Sequence, residues 1–235
     1  MASPARAITF VTNRAELNAN DLAIWSSVGS VVGPISDVSD PSVFLPDSLA
    51  VESQAGLSIG INIPPTSEPG VLPPFVFETS SGEFIETNFA DGDFILFTGL
   101  QLGPPPAVGN PGPITLTFSE PVFGVGTQLA AGGTISSYLA TVNAFDRQDQ
   151  LLGSFSTAGT SSLALDNSAV FLGVVDEQPT ISKLEFSTEI ATAPFGINQL
   201  SLATNNSTPV PEPSLLIAMS MLALWGYRYS YQTED

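Results

Sequence analysis

Histidine and cysteine are absent from all 235 residues, and cations are scarce, with 5 Lys and Arg against 23 Asp and Glu. The first absence removes the commonest general base, the thiol nucleophile, the His and Cys ligands of zinc and haem, and iron–sulfur clusters. No disulfide framework exists, and a cysteine-free chain suits an oxidising space without requiring one. Phosphate recognition needs a basic face, which five scattered cations cannot build, so nucleic-acid binding is excluded. A net charge of −18 keeps a surface soluble by self-repulsion and attracts divalent cations. A solvated surface and a specific calcium role both fit that charge.

Glycine and proline, at 20 each, cut the chain into pieces too short for long helices, and turn-rich β-folds need such punctuation. Between Gly-Pro, Asp-Gly and Gly-Gly breaks lie β-branched and aromatic stretches over residues 58–63, 75–78, 84–87 and 93–98. In the second half Ile114, Leu116 and Phe118 alternate with Thr115, Thr117 and Ser119, the period of a strand with one buried face. Strands are expected over 122–129, 138–145, 151–156, 169–175 and 182–186, with Leu200 and Leu202 flanking Ser201 in the same period. The polar run between Phe145 and Leu151 reads as a hairpin tip. Asn13 with Glu16 reads as the start of a short helix over 14–19. The expected fold is all-β: one antiparallel sandwich domain of jelly-roll-like type over 1–204, with a short N-terminal helix.

Near the start, Ala5-Arg6-Ala7 has the small-x-small form of a signal-peptide cleavage site, immediately before a strand-like stretch. A signal peptide at or before the first residues and an ordinary N-terminal arm are both open. At the other end, residues 205–209 are a polar linker containing Asn205-Asn206-Ser207-Thr208. Val210-Pro211-Glu212-Pro213-Ser214 follows, and then an apolar run of Leu215, Leu216, Ile217, Ala218, Met219, Met221, Leu222, Ala223, Leu224 and Trp225, broken only by Ser220. Gly226, Tyr227 and Arg228 close it, with Tyr229 and Tyr231 beyond. Aromatics beside a cation suit a membrane–water interface. The run should be helical, since it has no polar face and hydrocarbon forces backbone groups to bond internally. From 215 to 227 it covers only about 20 Å at 1.5 Å per residue, so its flanks must enter the interface of a ~30 Å core, with Arg228 snorkelling. Pro211 and Pro213 hold the motif extended, the form in which proteases grip a substrate.

This tail resembles the PEP-CTERM sorting signal of exported bacterial proteins. The resemblance implies recognition by an exosortase, a membrane-embedded transpeptidase or protease, in cells that make exopolysaccharide. It further implies a membrane anchor before processing and a final place in the cell envelope, at the cell surface or in the matrix. Asn88-Phe89-Ala90-Asp91-Gly92-Asp93 and the stretches 113–119, 121–126, 144–153 and 194–202 also resemble extracellular β-domains that often precede such a tail. Those domains have no assigned activity.

The remaining chemistry rests on acids, hydroxyls and aromatics. Asp91 with Asp93, and Asp146 with Asp149, are close pairs in apparent turns. Turn capping is the common use of such residues, and oxygen ligation of calcium by Asp91 and Asp93 is the alternative. Phe75, Phe77, Phe84, Phe89, Phe94 and Phe97 either fill the core or line a sugar-binding face. The chain does not read as an enzyme and no catalytic residue is assigned. The leading reading is a structural or adhesive surface or matrix protein in an exopolysaccharide or biofilm setting. A carbohydrate-binding module on the same scaffold is the alternative, a glycoside hydrolase the third.

Overall fold

A computed structural model describes residues 8–28, 31–32, 41–81, 87–102, 108–132 and 137–204. The linker 205–209 and the tail 210–235, with its expected helix, lie outside the described residues, as does most of the strand expected over 84–87. In chain order the strands are β1 (Thr9–Val11), β2 (Asp21–Ala23), β3 (Val31–Val32), β4 (Ser48–Glu52), β5 (Ser58–Asn62), β6 (Phe75–Glu78), β7 (Phe94–Phe97) and β8 (Ile114–Val122). There follow β9 (Gly124–Ala131), β10 (Tyr138–Phe145), β11 (Leu151–Gly159), β12 (Val170–Val175), β13 (Ile181–Thr188), β14 (Phe195–Ile197) and β15 (Leu200–Ala203). Of these, β2, β3, β4 and β14 are additions to the expected set.

Six strands form one sheet in the order β11-β10-β13-β8-β5-β4, antiparallel throughout. The other sheet runs β1-β12-β9-β14-β7-β6-β3, with β15 pairing both β9 and β2. Among the described residues its one parallel contact is the two-residue pair of β3 with β6. Strands from before and after the proline-rich stretch 102–113 lie side by side in both sheets, β5 against β8 and β7 against β14.

Alternation makes the sandwich. Ile114, Leu116 and Phe118 point inward from β8, and Tyr138, Ala140, Val142 and Ala144 from β10. They meet Val125, Leu129, Leu172, Val174, Phe195 and Ile197 from the facing sheet in one buried cluster. Each buried Val, Leu, Ile or Phe among them is worth roughly 1.5–3 kcal/mol of transfer free energy. The hairpin tip falls where expected. Asp146 Oδ1 accepts from the amides of Gln148 (2.8 Å) and Gln150 (2.9 Å), and Asp149 takes a left-handed φ of 58°.

The N-terminal helix is corrected to a single 3-10 turn, Arg14–Leu17. Asn13 caps it as expected, accepting from the Ala15 amide at 3.0 Å, but Asn18 at φ 48° ends it one turn in. Leu17 explains the brevity. It is buried with Val11 and Phe171 on the outer face of the nine-stranded sheet, where one turn suffices as a cover.

Candidate functional site

The outer face of the nine-stranded sheet carries two apolar patches with a polar seam between them. One patch is Val11, Leu17 and Phe171. The other gathers Phe75, Phe77, Phe89, Ile95 and Phe97 with Val43 and Leu100. Four of the six candidate sugar-facing phenylalanines are therefore buried here, with rings 5.5 Å (Phe75–Phe97) and 5.7 Å (Phe77–Phe97) apart. Phe94 packs, half-buried, against the main core, and Phe84 lies outside the described residues.

A β-bulge builds the seam. From Ile197, opposite Leu129, to Ser201, opposite Gly126, the β14–β15 side advances four residues while β9 advances three. Asn198 and Gln199 thus share the place of Gln128, and the bulge re-aims Asn198. Its carbonyl accepts from Trp25 Nε1 (2.6 Å) and Thr127 Oγ1 (2.8 Å). Its Oδ1 accepts from Arg14 Nη2 and the Gln128 amide, both at 3.0 Å. Its Nδ2 donates to Gln128 Oε1 (2.7 Å) and Asp93 Oδ2 (3.1 Å). Only 2% of Asn198 is exposed, so each of these bonds satisfies a group removed from water.

Arg14 reaches the seam from the 3-10 turn. Its guanidinium also bonds Ser201 Oγ and lies 5.3 Å from the centre of the Phe171 ring. Burial pulls its pKa below the usual value while Asp93 opposes the shift, and the group stays charged throughout the physiological range. Gln128 Nε2 donates onward to Asn167 Oδ1 at 2.9 Å, which holds Asn167 at φ 60°. Above these groups opens a cleft of about 700 Å³, lined among others by Asn13, Arg14, Gln128, Thr157, Asn167 and Phe171.

The calcium candidates lie in the turn beside this network. Asp93 is committed to the Ala90 amide (3.3 Å) and to Asn198, whereas Asp91 sits exposed in the turn before it. Gly92 at φ 81° makes that turn possible, its amide bonding the Thr79 carbonyl at 2.8 Å. Among the described residues no three acidic side chains are gathered as a metal site. The sorting residues Val210, Pro211, Glu212, Pro213, Ser214 and Arg228 lie outside the described residues, with the apolar run 215–225. Among the described residues no helix is long and apolar enough to cross a membrane.

Sequence reasoning passed over Arg14, Gln128, Asn167 and Asn198. One signal was available: Phe195 and Ile197 are out of phase with Leu200 and Leu202, and a slip of one in a period of two marks a bulge.

No protein-family model matches the chain, and no curated protein does. Among solved structures, a DUF4465 family protein from Bacteroides caccae aligns with 83% of this chain and 99% of its own, at a TM-score of 0.38 and 10% identity. CsCBM6-3 from Clostridium stercorarium, solved in complex with cellobiose, aligns with 69% of this chain and 86% of its own, at a TM-score of 0.22 and 8% identity. Neither likeness, at these scores, carries an argument about what this chain does.

Proposed function

We propose that the chain is an exported surface or extracellular-matrix protein, sorted through residues 210–235 by an exosortase-type membrane protease. Its jelly-roll-like body serves a structural or adhesive role in an exopolysaccharide or biofilm setting and is not catalytic. The observation that carries this reading is Val210-Pro211-Glu212-Pro213-Ser214 followed by an apolar run and Arg228. Its placement supports the same reading. The last strand ends at Ala203, and the six residues 204–209 can span about 20 Å when extended. A protease can therefore take hold of the motif without pulling β15 from its partners β9 and β2.

A sugar-binding face of exposed aromatics has less support, because Phe75, Phe77, Phe89 and Phe97 are core. Glycoside hydrolysis needs two carboxyl groups facing each other across a cleft at roughly 5–10 Å. Among the described residues, Glu16 is the one acid lining the cleft described above.

The test is mass spectrometry of the mature protein from its host, together with localisation of the Pro211→Ala, Glu212→Ala, Pro213→Ala variant. Cleavage near the motif and mislocalisation of the variant are expected. A mature chain ending at Asp235, with the variant located normally, would overturn the proposal.

A further inference from the structure

Sorting by the tail leaves the body without a ligand, and the polar cleft over the seam supplies a place for one. We infer that this cleft binds a neutral, polyhydroxylated ligand, in chemical terms a segment of an uncharged oligosaccharide. The inference does not rest on the tail and stands or falls separately from the sorting proposal.

The volume, about 700 Å³, lies within the roughly 300–1,000 Å³ of small-molecule sites. The floor is fixed in advance. Gln128 is clamped between Asn198 and Asn167, and Arg14 between Asn198, Ser201 and the Phe171 ring. Little side-chain freedom remains to be lost on binding, which favours affinity. Around the floor stand Thr12, Asn13, Thr157 and Asn167. Hydroxyls and primary amides both donate and accept, as each hydroxyl of a sugar does, so neighbouring hydroxyls find partners of either kind.

Charge selects the class. Among the described residues the cleft lining holds one cation, Arg14, and one acid, Glu16. The Arg14 guanidinium is already bonded to Asn198 and Ser201 with the charge of Asp93 near it, so the floor offers no unpaired charge to an ionic ligand of either sign. An anionic one must approach a chain of net charge −18, whose field lowers its local concentration. What remains is a ligand that is polar and uncharged.

The experiment titrates the full chain with maltohexaose, cellohexaose and xylohexaose, and with hexagalacturonate as the charged control, by calorimetry. At least one neutral hexasaccharide should bind with a Kd of about 1 mM or tighter. Thr157→Trp, which fills the cleft from β11, and Thr12→Arg, at an exposed position on its rim, should each weaken that binding at least ~10-fold with little change in Tm. Thr117→Trp, on the outer face of the other sheet, should leave it unchanged. Because Thr12 is exposed, its variant reports on the cleft even if the tryptophan disturbs folding. Failure of all three neutral probes to bind, tighter binding of hexagalacturonate, or undiminished affinity in the Thr12 variant would each overturn the inference.

Discussion

On the outer face of the six-stranded sheet, Ser154, Asn143, Glu185, Thr115, Asn62 and Ser48 stand in one row, a residue from each strand in register. On the outer face of the other sheet, the corresponding outward positions of β6, β7 and β12 are Phe75, Phe77, Ile95, Phe97 and Phe171, all buried. The first row is exposed or half-exposed, with no covering segment among the described residues. The second requires a cover, and the irregular segments provide it: the turn Arg14–Leu17 over Phe171, and Val43, Phe44 and Phe89 over Phe75. Polar side chains on a strand let that face be solvated, whereas aromatic ones recruit loops. The seam of Arg14, Gln128 and Asn198 lies between the two covers, and the cleft opens over it.

The largest effects should separate these faces. Phe75→Ala removes a fully buried ring packed on Phe77 and Phe97 and should cost about 3–5 kcal/mol. Thr115→Ala, at the centre of the open row, should change stability by no more than about 0.5 kcal/mol. Urea unfolding of the full chain measures both, and equal losses would show that the covered face contributes no more than the open one. Asn198→Ala comes next, at about 2–4 kcal/mol. It strips partners from Arg14, Gln128 and Asp93 at once, and each buried group left unmet costs about 1–3 kcal/mol, offset in part by water entering from the cleft. Asn143→Ala, the same change on the open face, should stay within about 0.5 kcal/mol.

The same contrast governs what could be read from sequence. β8 and β10 announce themselves because one face is wet, so Ile114-Thr115-Leu116-Thr117-Phe118 spells out the period of two. β6, β7 and β12 read Phe-Val-Phe, Phe-Ile-Leu-Phe and Val-Phe-Leu-Gly-Val-Val. Such runs show that strands exist and are buried, but not which face is which. The short strands β2, β3 and β14 carry two or three residues each, too few for any period. The seam was least legible, because Arg14, Gln128 and Asn198 are 70 to 184 residues apart in sequence and meet only through long-range pairing around β9. Asp93 shows the consequence. Its pairing with Asp91, as turn cap or calcium ligand, could be read locally, whereas its hydrogen bond from Asn198 spans 105 residues.

A third measurement asks whether the two sheets respond together. Tyr138 points inward from β10 and donates to the Leu129 carbonyl of β9 at 2.9 Å, which joins the sheets through the core. Burial pushes its pKa up to about 12, with backbone hydrogen bonds opposing. Since the folded value lies above the unfolded one of about 10, this contribution is complete below pH 10. It is lost between pH 10 and 12, as the unfolded chain releases a phenolic proton that the folded chain retains. The loss should reach on the order of 2–3 kcal/mol at 1.36 kcal/mol per unit. Tyr138→Phe should be less stable at neutral pH by about 1 kcal/mol, yet show a flatter decline across that window. Parallel alkaline curves for the two proteins would remove Tyr138 as the cause.

The smallest effect is also the most direct comparison, because one substitution is made on both outer faces. Gly126 lies on β9 beneath the Phe171 ring. A Cβ built there falls 2.7 Å from the Gly173 Cα, 2.7 Å from Phe171 Cζ and 2.9 Å from the Leu172 carbonyl oxygen. Two of those atoms are backbone and the third is held under the guanidinium of Arg14, so none can move cheaply. Gly126→Ala should therefore cost about 1–3 kcal/mol as an overpacked site. Lifting Phe171 should also loosen Arg14, so the cleft should lose affinity for its oligosaccharide along with stability. Gly60 lies on β5 in the open face, where the nearest atoms to its Cβ are the Thr117 carbonyl oxygen at 3.7 Å and Thr117 Cβ at 3.9 Å, ordinary contacts. There alanine mainly restricts the unfolded chain, and Gly60→Ala should be neutral or stabilising by up to about 1 kcal/mol. Opposite signs for the two alanines are the expected result. If Gly126→Ala proves as harmless as Gly60→Ala, the Phe171 cover is loose enough to shift, and the fixed floor assigned to the cleft goes with it.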